Sequence, residues 1–190
     1  MRKNYTGQRA HVTGDVNLAA ACMSMGVPLD PHQPVTVTLQ EGRPDYGSFH
    51  LMPETVDGST LTAELMGAWN APEGCKNEMF SSLMRFIRER PQGVRTSADW
   101  LDHAHDWLRL NRLDRVAMPR RLEDVPAYLE RHADSVAGHI LAFAFNRETC
   151  FQEYNAAKPE IFMEAGSSVV RVSTALDKKT SRELLARLQG

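Results

Sequence analysis

Cysteine is scarce in this sequence: there are three, Cys22, Cys75 and Cys150, far apart and without a CxxC pair. An odd, widely spaced set argues against a disulfide framework and fits a reducing compartment, so the cytoplasm is the expected location. The thiols read as small buried hydrophobes, with Cys75, which follows Gly74, the most exposed. Long apolar runs are missing too. No stretch approaches the ~20 residues that a membrane-crossing helix needs, so no membrane partner is expected. Arg2 and Lys3 could open a signal peptide, but Asn4, Gln8, Arg9, His11 and Asp15 stand where its apolar core would run. Glycine-rich phosphate loops are absent: neither GxGxxG nor GxxxxGK[ST] occurs. There is no GxSxG nucleophile elbow and no paired-cysteine zinc spacing. No cofactor is implied. Aromatic residues make up only 7%, which leaves little for base stacking.

Apolar residues are 42% and charged residues 24% of 190, and the formal net charge is -2. Those proportions suit a folded chain, because disorder needs fewer apolar residues and more net charge. The length suits one globular domain over residues 1–190. A chain of that size removes roughly 70% of its unfolded surface from water. The near-neutral balance gives no global pull toward nucleic acid, so any such attraction must come from a local patch.

Residues 1–14 are polar and basic and read as an arm. Asp15 caps a helix over residues 16–25, with Leu18, Ala19, Cys22 and Met25 on one face and Gly26 as its left-handed end. Val35–Gln40 alternates as VTVTLQ, a half-buried strand, and pairs through EGRPDYG with a second strand near residues 48–52. Asp57-Gly58 signals a turn, after which Ser59 or Thr60 caps a helix to Trp69. Further helices are expected over residues 77–90, 97–110 and, capped by Asp124, a short one from Pro126. Residues 135–157 read as a long helix, although His139–Phe145 alone could be a buried strand. Residues 161–164 and 169–173 form a second hairpin. Thr180 and Glu183 open a last helix with a capping box.

This order makes the fold class α+β: a small antiparallel sheet from two β-hairpins, packed against several helices. Residues 15–70 and 135–190 both read helix–hairpin–helix, which suggests an αββα pseudo-repeat around a helical middle over residues 77–134. The two hairpins would then pool edge to edge into one four-stranded sheet, since a lone hairpin is marginal in water.

Two constellations stand out in the middle. DWLDHAHDW, residues 99–107, interleaves ligand-type side chains with tryptophans. On a helix His103 and His105 point about 200° apart, whereas Asp99, His103 and Asp106 share a face. Such a face could carry a metal or an acid–base pair for a hydrolase. The second is basic: Arg109, Arg112, Arg115, Arg120 and Arg121 fall within thirteen residues, after Arg85, Arg88, Arg90 and Arg95. Guanidinium forks pair with oxyanions at two points, so this run suits nucleic acid or an acidic protein surface. Ser48 and His50 would share one side of a strand, but nothing activates them. Trp69, Trp100, Trp107, Phe80 and Phe86 read as core, as do most of the nine methionines. The expected function is that of a non-enzymatic binding protein using the arginine-rich middle. The hydrolase reading of Asp99, His103 and Asp106 and a pure protein–protein interaction or inhibitor module are the alternatives. A homo-oligomer is compatible with each.

Overall fold

The computed structural model describes residues 11–38, 45–52, 55–56, 59–158, 160–164 and 167–171. Within them the fold is α+β, with six helices and a three-stranded antiparallel sheet. In chain order the elements are β1 (His11–Thr13), α1 (Val16–Ser24), β2 (Val35–Thr38), β3 (Tyr46–Leu51), β4 (Thr55–Val56), β5 (Ser59–Thr60) and α2 (Leu61–Asn70). They continue with α3 (Glu78–Arg88), α4 (Ser97–Leu110), α5 (Val125–His132), α6 (Val136–Ala157), β6 (Glu160–Glu164) and β7 (Ser167–Arg171). No helix among the described residues is long and apolar enough to cross a membrane.

Side-chain caps set four helix starts. Asp15 Oδ1 accepts from the amides of Asn17 and Leu18, Asn77 from Phe80, Thr96 from Asp99, and Ser135 from Gly138. Asp124 departs from the expected cap. It stands in helical backbone at the end of the 3₁₀ turn Leu122–Asp124, and its carboxylate turns to Arg121 instead of to the helix.

The ambiguous segment is helix. α6 packs against α1, α3, α4, α5 and β2, and Ile140, Leu141, Phe143, Ala144 and Cys150 are fully buried. Ile140–Ala144 are buried without a break, so this part of the helix shows no single apolar stripe, which is why its sequence also resembles a buried strand. Gly138 lies in its first turn. A Cβ there would stand 1.9 Å from the carbonyl oxygen of His132, so only glycine lets α5 abut α6 this closely.

The sheet departs from the expected pooling of hairpins. Its order is β1-β3-β2. The end of the polar arm is a strand, with His11 opposite Leu51 and Thr13 opposite Phe49. β1 thereby occupies the outer edge of β3, one of the two edges at which a second hairpin could join. β6 and β7 pair with each other as a separate two-stranded sheet. The helices at the two ends also differ, nine residues in α1 against twenty-two in α6. The αββα pseudo-repeat is not confirmed: α6 and the β6–β7 hairpin follow the expected order, but its closing helix lies outside the described residues. The DG turn at residues 57–58, the last helix from residue 180 and much of the basic arm lie outside them.

Two apolar clusters result. The larger joins α1–α6 around Phe80, Phe86, Trp100, Leu108, Ile140 and Phe143. The smaller one, Ala19, Val35, Val37, Phe49, Cys150 and Ala157, fills the gap between the sheet and helices α1 and α6. Trp100 and Trp107 are core residues, as their spacing predicts, and Trp69 is half-buried at its edge.

Candidate functional site

The two histidines of DWLDHAHDW diverge, as helix geometry requires. His103 is 8% exposed, stacks on the Phe86 ring at 4.7 Å, and lies 3.2 Å through Nε2 from the Phe86 carbonyl oxygen. It therefore joins the buried side of α4 with Trp100 and Trp107 rather than the face opposite them. His105 reaches the other way, with Nε2 2.7 Å from the Pro119 carbonyl oxygen. A carbonyl only accepts, so each Nε2 carries the donated proton. One imidazole clamps α4 to α3, and the other clamps the following loop to α4.

Asp99 completes a capping box. Its carboxylate accepts from the amides of Thr96 at 2.8 Å and Arg95 at 3.0 Å, and these bonds hold its pKa below the ordinary carboxylate range. Asp106 is ion-paired with Arg109 at 3.0 Å. Asp99, His103 and Asp106 do border one open groove of about 880 Å³, but each is engaged by a different partner. Among the described residues no three His, Cys, Asp or Glu side chains are grouped to hold a metal ion. A satisfied network also lines the groove. Glu89 accepts from Trp107 Nε1 at 2.6 Å and from Arg85 at 3.0 Å, and Arg85 also donates to Asn111 Oδ1 at 2.9 Å. These two donors, the indole first, keep the Glu89 carboxyl acidic.

The five arginines divide by neighbours. Arg109 pairs with Asp106, and Arg121 pairs with Glu123 at 2.8 Å and Asp124 at 2.9 Å. Both are spent on their own local chain, at exposed positions where such pairs add little. Arg112, Arg115 and Arg120 are exposed and form no ion pair among the described residues. Their loop is held from beneath by His105 and by Leu113, Met118 and Leu122, which pack on the core. Arg112 closes α4 in left-handed backbone, φ 56°, and is the one non-glycine residue with positive φ among those described. Leu110, 78% exposed, and Val116, 47% exposed, stand among these arginines.

No family model, curated protein or solved structure matches this chain. What its residues can do must therefore come from their own chemistry.

Two further polar sites are not evident from residue spacing. His50 pairs across the sheet with Thr36, Nε2 to Oγ1 at 2.7 Å, rather than with Ser48 on its own strand. Thr36 is buried, so the alternation of VTVT does not leave one face open, and burial lowers the His50 pKa. The strand pattern marks such a cross-strand pair only once the register is known. Arg147 sits in the apolar helix α6 and is only 5% exposed. Its signal is a charge inside a run that is otherwise buried.

Proposed function

We propose that the protein is a non-enzymatic binding protein that contacts an acidic protein surface through the loop after α4. The observation that carries this reading is the set Arg112, Arg115 and Arg120: exposed, unpaired among the described residues, and on a loop tied down by His105 and three apolar anchors. A tethered loop loses less entropy when it docks. Leu110 and Val116 favour a protein partner over nucleic acid. An exposed leucine among guanidinium groups suits a protein interface, where arginine is enriched and apolar area is covered. The patch lacks the aromatic platform that single-strand binders use.

The test is fluorescence anisotropy with poly(Glu,Tyr), poly-Glu and single- and double-stranded oligonucleotides, at about 50 and 200 mM salt. Expected is salt-sensitive binding, strongest to poly(Glu,Tyr). It should be lost in the triple variant Arg112→Ala, Arg115→Ala, Arg120→Ala and weakened by Leu110→Ser. Preference for an oligonucleotide would overturn the protein partner, and no salt-sensitive binding to any probe would overturn the reading as a whole.

A further inference from the structure

A second basic site lies at the turn between α3 and α4, and it shares no residue with the surface proposed above. A cavity of about 330 Å³ is lined by Asn17 of α1, Trp69 of α2, Met84, Ile87 and Arg88 of α3, and Arg90 just beyond α3. Its wall has two parts. Trp69, Met84 and Ile87 are apolar, and Arg88, Arg90 and the Asn17 amide are polar. No carboxylate lines it. The volume is at the small end of ligand sites, which run from about 300 to 1,000 Å³.

Arg147 stands behind this wall. Its Nε donates to Asn17 Oδ1 at 2.9 Å and its Nη1 to the Arg95 carbonyl oxygen at 3.3 Å. The first bond engages Asn17 Oδ1, and Asn17 Nδ2 makes no hydrogen bond among the described residues. Neither bond partner carries charge, and no carboxylate lies within ion-pair distance of Arg147 among the described residues. The acidic groups that act on it are the buried Cys150 thiol, then Asp15 and Glu148, and the Asp15 carboxylate is already bonded to two α1 amides. Arg90 and Arg147 stand over the same Trp100 ring, 5.7 and 5.2 Å from its centroid. Burial and the nearby Arg90 charge both lower the Arg147 pKa. Trp100 itself is fully buried, and its Nε1 has no hydrogen-bond partner among the described residues. Donors and positive charge thus collect around this end of the core without a matching anion. A buried charge of this kind is normally paired.

We propose that the cavity binds a small organic anion, an oxyanion group carried on a molecule with a planar aromatic ring. The oxyanion meets Arg88, Arg90 and Asn17 Nδ2, and the ring lies on Trp69, Met84 and Ile87. Arg147 is a positioning residue, orienting Asn17 and adding a positive potential from within.

Titration calorimetry and tryptophan fluorescence with AMP, benzoate, inorganic phosphate and adenosine test this. Expected is binding of AMP or benzoate, tighter than either phosphate or adenosine. Arg88→Ala and Arg90→Ala should each weaken it about tenfold, the scale of a lost charged hydrogen bond. Both side chains are exposed, so circular dichroism and melting temperature should stay at the parent values. Trp69→Phe should abolish the fluorescence change while calorimetry still reports binding. Failure of all four probes to bind would overturn the proposal. So would adenosine or phosphate binding as tightly as AMP, or affinity untouched by both arginine substitutions.

Discussion

At the scale of single residues, Arg112 carries the most unusual conformation. Two bonds close α4 around it: the Arg112 amide donates to the Arg109 carbonyl at 3.1 Å, and the Leu113 amide to the Leu108 carbonyl at 2.8 Å. That is the Schellman pattern, with Leu113 packed on the core beside buried Leu108. α1 ends the same way at Gly26, φ 90°, where the Val27 amide reaches the Cys22 carbonyl at 3.1 Å. A side chain in left-handed backbone costs about 1 kcal/mol relative to glycine. Arg112→Gly should therefore be more stable than Arg112→Ala by about that amount in urea denaturation. Equal stability would mean that the left-handed closure is not held in solution. The comparison also explains what the sequence could disclose. Gly26 announces its cap because glycine is cheapest there. Arginine at the equivalent position of α4 gives no sign, since its placement depends on the Leu113 anchor, which is tertiary. The roles of His103 and His105 were legible only as a divergence. Which carbonyl each would meet depended on how α3 and the loop pack.

At the scale of elements, local signals served the helices better than the sheet. Caps at Asp15, Asn77, Thr96 and Ser135 stand where polar residues precede apolar periodicity. Strand pairing is non-local, and the sequence of β1 (HVT) is too short to compete with the arm around it. Alternation marks the hairpins, but it does not mark the partner at the β3 edge. The junction of α5 and α6 gives a sharp test of element packing. Alanine within a helix usually gains at most about 1 kcal/mol over glycine, and less in the first turn, where Gly138 lies. At position 138 the new methyl would meet the His132 carbonyl, which is backbone and cannot turn aside. The clash should win, and Gly138→Ala should destabilise by about 1–3 kcal/mol in the same denaturation measurement. A neutral or stabilised variant would contradict the close approach of the two helices.

At the scale of the whole molecule, the three thiols report on the two apolar clusters. Cys22 belongs to the larger cluster and Cys150 to the smaller. Both are fully buried, and burial pushes each thiol pKa up to about 12. Cys75 is half-buried at the connection between α2 and α3. A thiol reagent should modify one cysteine at once under native conditions, identified as Cys75 by peptide mapping. Cys22 and Cys150 should react together, at the rate of global unfolding. Early reaction of Cys150 alone would show that the sheet opens apart from the helical core.

The placement of α6 has a consequence for how the chain reaches this state. His139 meets the Ser24 carbonyl at 2.7 Å, and Asn146 meets the Ser24 hydroxyl at 3.1 Å, contacts that close loops of more than a hundred residues. During synthesis α1 and the sheet leave the ribosome long before the helix that covers them. Their apolar faces lack that cover until α6 emerges, so closing the core is a late, non-local step of folding.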